Sequence, residues 1–172
     1  MNISEVSYSA IAMTGTLDDL KKKMMLEGKT VDDVKDILDS DMSLLMLSIA
    51  YGKLDIAKYL LQNNAKVNIV SKEGYNEFHC LAYHLKENNA LELAYMLLEK
   101  DVDLNLRDKK FKNSAFWYLC YNACLCNTKL VFEFISKCIG KKPDLDSLNI
   151  AGKSIRDLIA NSGIEYLQNI VN

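Results

Sequence analysis

The 172-residue sequence contains one proline, two histidines and no long apolar run. A membrane-spanning helix needs about 20 consecutive apolar residues, and because no stretch approaches that length we expect no membrane segment. The opening residues, MNISEV, lack a cationic region followed by an apolar run, so we also expect no signal peptide. The formal net charge of −2 gives no electrostatic reason to expect binding to nucleic acid or to an anionic membrane.

The five cysteines are an odd number and lack the spacing of a disulfide framework. They favour a reducing setting, so we expect a cytoplasmic protein, with disulfides as the alternative. Cys120, Cys124 and Cys126 lie close together in sequence, but a zinc site usually pairs its ligands as Cys-x-x-Cys, and no histidine is nearby. We therefore expect no metal site here, and we interpret Cys120 as a small buried apolar residue.

The sequence also lacks the common enzyme motifs. It has no glycine-rich phosphate loop, no Gly-x-Ser-x-Gly elbow and no His-Glu-x-x-His helix. Adjacent acidic pairs such as Asp18-Asp19 and Asp32-Asp33 diverge around a helix, so a solvated face explains them. We predict that the protein is not an enzyme and that it has no catalytic, cofactor-binding or metal-binding residues.

What the sequence does contain is a repeated pair of apolar segments. The clearest copy runs from Ser43 to Asn68, SLLMLSIAYGKLDIAKYLLQNNAKVN. Apolar residues at spacings of three and four lie on one helical face, and Gly52 suits the positive φ at which a helix ends. This stretch therefore predicts a helix, a turn and a second helix. Such a pair needs similar pairs beside it to bury its apolar face.

Similar segments begin at Asn76, Ser114 and Ser154, the first of them 33 positions after Ser43. With this pattern the chain resembles an ankyrin-repeat protein, whose unit is a β-turn and two antiparallel helices with a period near 33 residues. Further slots that carry the resemblance are the Leu-Leu pairs Leu60-Leu61 and Leu97-Leu98 and the closing segments Asn64–Asn68 and Asp101–Asn105. The resemblance implies an all-α ankyrin-repeat solenoid of about five repeats with irregular caps.

We predict one domain over 1–172. It divides into an N-terminal capping repeat 1–42, central repeats 43–70, 71–107 and 108–148, and a C-terminal capping repeat 149–172. Thr30 with Asp33 resembles a capping box, so a short helix should follow, with Val31, Val34 and Leu38 on one face. We expect this extra helical turn to replace the plain β-turn connection, here called a finger, between the first two repeats.

Two central repeats are longer than the copy at 43–70. Alignment places four added residues within 86–90 and seven around 123–129, and the finger at 108–113 has an extra residue and no glycine. Insertions in repeat proteins map to loops on one side, so we predict a local projection built from two lengthened loops. Long loops often carry function, but tolerated drift explains them equally well because loop lengthening costs little free energy.

In ankyrin repeats the end of the first helix and the finger line the concave surface. Tyrosine is frequent at binding surfaces because it offers a large contact area with few torsions to fix. The predicted partner-binding residues are Tyr51, Lys72, Tyr75, Tyr83, His84, Lys110, Phe111, Tyr121 and Asn122. The alternative is that these rings pack on neighbouring repeats. His79 occupies the position that is usually histidine in the opening segment of an ankyrin repeat, and Trp117 occupies the same position in the next repeat. We expect both residues to pack between repeats.

The stretch Asn113–Tyr118, the long loop expected after it and the finger Gly152–Ser154 resemble those of small bacterial ankyrin proteins that act as immunity partners of secreted polymorphic toxins. This resemblance implies a protein that binds and neutralises a cognate toxin in the cytosol of the producing cell. We also expect a monomer when the protein is on its own. The alternative is a regulatory adaptor or a host-directed effector that binds a cellular protein.

Overall fold

The computed structural model describes residues 3–171, which divide into unit 1, up to Lys72, and unit 2, from Glu73 onward. Unit 1 contains the helices α1 Tyr8–Thr14, α2 Leu17–Leu26, α3 Val31–Val34, α4 Leu44–Ala50 and α5 Leu54–Gln62, and the short strands β1 Leu38–Asp39 and β2 Met42–Ser43. Unit 2 contains α6 Glu77–Leu81, a 3-10 helix Ala82–His84, α7 Ala90–Glu99, α8 Ala115–Cys126, α9 Lys129–Ile139, α10 Ile155–Ala160 and α11 Glu165–Val171.

The predicted helix pair of the clearest repeat is confirmed as α4 and α5 in unit 1. Ser43 begins α4, because its side chain accepts a hydrogen bond from the backbone N–H of Met46 at 3.1 Å. Gly52 follows α4 with a φ of 68°, and this left-handed residue turns the chain into α5. The apolar residues of α4 are buried where α1 and α5 pack on it.

The connection before α4 corrects one prediction. A helical turn, α3, does form, and the Asp33 carboxylate accepts hydrogen bonds from the Thr30 N–H at 2.7 Å and from its hydroxyl at 2.8 Å. However, Leu38 does not share the face of this helix, because α3 ends after one turn and Leu38 is 57% exposed in β1. Ser40 and Asp41 both have positive φ, which allows β1 and β2 to pair as a hairpin. The helical turn therefore precedes a finger and does not replace it.

Unit 2 has two layers of helices. The first helices of successive pairs, α6, α8 and α10, pack in series, and the second helices, α7, α9 and α11, form the other series. Phe78, Phe116 and Phe134 are fully buried between these layers. Each helix pair thus buries its apolar face against the next pair, as the repeated pattern predicted.

Both additions were predicted to be lengthened loops, and this is wrong for the second of them. The first addition does form a loop, since residues 85–89 separate the 3-10 helix from α7. The second addition instead extends α8 to 12 residues, compared with seven in α4, and leaves only Asn127 and Thr128 before α9. The added residues include Ala123 and Leu125, which are good helix formers, and the helix ends where Asn127 takes a left-handed φ of 49°.

Candidate functional site

Six aromatic rings in unit 2 form a continuous series of contacts. We call this series the aromatic row: Tyr75, His79, Tyr83, Trp117, Tyr118 and Tyr121. Tyr118 lies at its centre, with ring centroids 5.3 Å from His79 and 6.1 Å from Tyr83. Each such ring pair contributes roughly 0.5–1.5 kcal/mol beyond the area that it buries. The rings therefore hold one another in place before any partner arrives.

Helical spacing explains the two stacked pairs of the row. Trp117 and Tyr121 are four residues apart on α8, so they share one face, and their rings stack 5.3 Å apart with planes 8° from parallel. Tyr75 and His79 have the same spacing across the start of α6 and stack at 5.0 Å. The contact of Tyr83 with Tyr118 joins residues from different repeats and depends on the packing of α6 against α8.

The aromatic row contains both buried and exposed rings. Tyr118 is buried, whereas Tyr83 is 58% exposed and Tyr121 is 42% exposed. Burial raises the pKa of both Tyr118 and Tyr83, so both phenols are neutral at physiological pH. The exposed rings therefore offer a partner both apolar area and hydroxyl groups.

His79 has a structural environment. Its ring is buried, and the Asn76 backbone N–H donates to Nδ1 at 3.2 Å. Burial lowers the pKa of His79 to about 4. The ring is therefore neutral at pH 7, and it packs against Tyr118 of the next repeat, as expected for this histidine.

The finger at 108–113 is built around the Asp108 carboxylate. This buried side chain accepts hydrogen bonds from the backbone N–H groups of Lys110 at 2.8 Å, Phe111 at 2.6 Å and Asn113 at 2.9 Å. Lys112 supplies the positive φ, 58°, that a glycine supplies in other fingers. The carboxylate thus replaces the missing glycine as the organiser of the turn.

The next finger, 149–154, lies directly beside this one. The Ile150 N–H donates to the Phe111 carbonyl oxygen at 3.0 Å, and the Asn149 side-chain amide donates to Asn113 Oδ1 at 2.9 Å. The two fingers carry four exposed lysines, which we call the lysine edge: Lys109, Lys110, Lys112 and Lys153. Within residues 3–171 none of the four forms an ion pair at 4.0 Å or less, although the Lys110 ammonium lies over the Phe111 ring.

A cavity of about 420 Å³ lies between α8 and α10, and the finger before α10 and the turn after it also line it. Trp117, Tyr121, Leu125 and Leu158 form its apolar wall, and Lys153 lies at its polar rim. Asp157 also lines it, but this carboxylate accepts hydrogen bonds from the Ser154 N–H and hydroxyl, which hold the pKa of Asp157 below its usual range. The cavity is thus an extension of the aromatic row at its Trp117 end.

The structure brings together some of the predicted binding residues and not others. Tyr75, Tyr83 and Tyr121 belong to the aromatic row, and Lys110 and Phe111 lie at the tip of the adjoining finger. Of the other predicted residues, Tyr51 and Lys72 belong to unit 1. The remaining two are held by local contacts: His84 with Nδ1 2.6 Å from Glu87 Oε1, and Asn122 donating to the Tyr118 carbonyl at 3.0 Å.

Two features of the surface were missed by sequence reasoning. Trp117 was expected to pack between repeats and not to contact a partner; its ring stacks on Tyr121 of the same helix and lines the open cavity. Of the lysine edge only Lys110 was predicted, although three of its members lie within the six residues of one finger. That local concentration of charge was the signal in the sequence that pointed to it.

The cysteines are structural or partly exposed thiols. Cys120 is fully buried, as predicted, and burial raises the pKa of its thiol. Cys124 and Cys126 are half-buried. Among residues 3–171 no group of three or more His, Cys, Asp or Glu side chains is placed to hold a metal ion. Over the same residues, no helix is both long enough and apolar enough to cross a membrane.

The chain belongs to the ankyrin-repeat family, since a family model of three ankyrin repeats matches residues 9–108. Ankyrin repeats generally serve as protein–protein interaction modules and are generally not enzymes. No match was found among curated proteins. The matched segment ends at Asp108, so the repeats beyond it and the total of about five remain predictions.

Proposed function

We propose that this protein binds another protein through the aromatic row and the adjoining fingers of unit 2. The observation that carries the proposal is the pair Tyr83 and Tyr121, which occupy equivalent positions in adjacent repeats. Both rings are about half exposed, and they pack on Tyr118 and Trp117 respectively. Large aromatic side chains that are already fixed lose little entropy on binding, which is why tyrosine and tryptophan are enriched at interaction hot spots.

The competing interpretation is that these tyrosines only pack on neighbouring repeats. Their exposure argues against it, because a ring that served packing alone would be covered as Tyr118 is. Exposed aromatic groups that adjoin one another form a larger apolar patch than scattered single residues, and such patches mark interaction sites.

The test uses the chain as bait against the native partner. The wild-type protein and the double variant Tyr83→Ala/Tyr121→Ala are immobilised in parallel, and the bound proteins are compared. The proposal expects one partner to be retained by the wild type and lost by the variant, with the helical circular dichroism unchanged. A partner retained equally by both would place the binding surface elsewhere.

We propose more specifically that the partner is a cognate secreted bacterial toxin, which this protein neutralises in the cytosol of the producing cell. This finer proposal is supported by the resemblance of Asn113–Tyr118 and Gly152–Ser154 to bacterial immunity proteins. Co-expression with the neighbouring toxin gene should restore growth. If growth is not restored and the partner is instead an ordinary cellular protein, the alternative of a regulatory adaptor or a host-directed effector is favoured.

Three features complete the proposal. The protein is a monomer until it meets its partner, its helix pairs continue as one solenoid of about five repeats, and Tyr51 and Lys72 in unit 1 contribute further contacts. Sedimentation of the purified protein alone tests the first of these, and alanine substitution of Tyr51 tests the last.

A further inference from the structure

We infer that the partner presents a bulky apolar side chain flanked by carboxylates: the apolar group enters the cavity beside Trp117, and the carboxylates face the lysine edge. The inference rests on the proposed function and adds the chemistry of the partner. It depends on two neighbouring features of unit 2, an apolar cavity and an excess of positive charge.

The cavity is suited to an apolar anchor. Its volume of about 420 Å³ lies in the lower part of the range of about 300–1,000 Å³ that is usual for ligand sites. Its wall combines the stacked Trp117 and Tyr121 rings with Leu125 and Leu158. Leu125 is among the most exposed large apolar residues described. Its burial by a partner would therefore remove apolar surface of both proteins from water, which favours binding.

Over residues 3–171 the lysine edge forms no ion pair at 4.0 Å or less, although Lys153 lies close enough to Asp157 to add to the lowering of that pKa by Ser154. The nearby carboxylates are Asp108, Asp157 and Glu73. Asp108 is buried and accepts three backbone N–H groups, and Asp157 is held by Ser154. Only Glu73 is exposed, and it lies opposite Lys109, whose N–H donates to the Glu73 carbonyl oxygen at 2.8 Å. Four exposed lysines therefore have beside them one exposed carboxylate, Glu73, and two carboxylates that already accept hydrogen bonds, in a chain whose net charge is −2.

The position of Lys153 joins these two features. This residue lies in the finger 149–154 and also at the rim of the cavity, beside the apolar wall. A carboxylate next to the partner's apolar anchor would thus meet an ammonium group at the rim. Charge complementarity of this kind raises the association rate and selects the partner, and it weakens as salt screens it.

A protein segment fits better than a nucleic acid, which is also polyanionic. The cavity wall is largely apolar, and the chain as a whole has a net charge of −2. The family of this chain also generally binds proteins. The experiment must therefore distinguish binding of an acidic protein segment from binding of nucleic acid.

Trp117 provides a direct probe, because it is the only tryptophan in the sequence. The full-length protein is titrated with a synthetic peptide in which a central phenylalanine is flanked on both sides by glutamates. We expect a saturable change in Trp117 fluorescence below about 1 mM peptide, weakened by raising the salt from about 0.1 M to 1 M. A matched peptide with a central alanine should bind about tenfold more weakly or worse, and one with lysines in place of glutamates should not bind.

The matched variants are Lys110→Glu/Lys153→Glu and Lys137→Glu, the latter an exposed lysine on α9. The double variant should bind the acidic peptide at least about tenfold more weakly, and the single variant should bind as wild type does. Equal response to acidic and basic peptides, tighter binding of single-stranded DNA, or no response at all would overturn the inference. If Tyr83→Ala/Tyr121→Ala still releases the native partner in that case, the proposed function survives and only the partner chemistry is wrong.

Discussion

Tyr83 and Tyr118 lie with ring centroids 6.1 Å apart, and one ring is exposed while the other is buried. The hydroxyl of Tyr118 donates to Asp108 Oδ2 at 3.4 Å, and the same carboxylate organises the finger at 108–113. A single buried carboxylate therefore supports both the base of the aromatic row and the finger that carries most of the lysine edge.

Replacing Asp108 by asparagine should destabilise the protein by about 1–3 kcal/mol, because the amide cannot accept all of the backbone N–H groups that the carboxylate satisfies. Urea unfolding of the two proteins measures this difference. The control is Asp146→Asn, which removes an exposed ion pair with Arg156 and should cost about 1 kcal/mol or less. Equal costs for the two substitutions would show that Asp108 does not organise the finger.

Gly74 should tolerate alanine worse than Gly152 does. Both have positive φ, 86° and 69°, so each substitution carries a backbone cost of about 1 kcal/mol. At Gly74 the added Cβ would also lie 3.0 Å from the Arg107 carbonyl oxygen and 3.2 Å from the Lys109 nitrogen, whereas nothing lies within 4 Å at Gly152. Thermal unfolding should show a clearly larger loss for Gly74→Ala. A loss at Gly152 as large as that at Gly74 would mean that the close approach of Gly74 to the backbone at 107–109 does not contribute to stability.

The stability of the protein should fall as the pH drops from about 6.5 towards 4. The pKa of His79 is lowered to about 4 by burial in the folded state, whereas a histidine in the unfolded chain titrates near 6.5. Between these values the unfolded state binds more protons, so acid favours unfolding. From pH 7.5 to pH 5 this difference amounts to about 2 kcal/mol.

The measurement is the free energy of unfolding at both pH values for the wild type and for His79→Gln. In His79→Gln most of this decrease in the free energy of unfolding should disappear. His84→Gln, which changes the only other histidine, should show the same decrease as the wild type. A drop that persists unchanged in His79→Gln would mean that other groups are responsible for it.

The sequence predicted the helix pairs well and the binding surface only in part. Helix pairs depend on local periodicity and on residues such as Gly52 with positive φ, and both are visible in a short window. The stacking of Trp117 on Tyr121 follows from the same local spacing. In contrast, the contact between Tyr83 and Tyr118 requires α6 and α8 to pack, and no local pattern specifies that distance.

The seven residues added around 123–129 show a different limit. Counting residues against a shorter repeat located the addition correctly, but it did not distinguish a loop from a longer helix. The helix-forming residues of that segment and the left-handed Asn127 decide for the helix. Likewise, a finger without glycine was read as an irregularity, whereas Asp108 and Lys112 together supply what the glycine would have supplied.

Thiol labelling should distinguish the cavity from the core. In the native protein, Cys124 and Cys126 are half-buried and should react with a maleimide far faster than the buried Cys80, Cys120 and Cys138. Cys124 lines the cavity beside Trp117, so a bound partner should protect it. Mass spectrometry after brief labelling, with and without the partner, measures this. Protection of Cys126 with no protection of Cys124 would place the partner outside the cavity.

The most direct test of the account is the dissociation constant of the native complex for Tyr121→Ala and for Tyr166→Ala. The two tyrosines are matched, since both stack on an aromatic neighbour and are 42% and 40% exposed, but Tyr166 lies on α11 outside the aromatic row. We predict that Tyr121→Ala weakens the complex by about 1–2 kcal/mol, roughly tenfold, and that Tyr166→Ala changes it less than about twofold. Equal affinities for the two variants would contradict the central claim that the aromatic row is the binding surface.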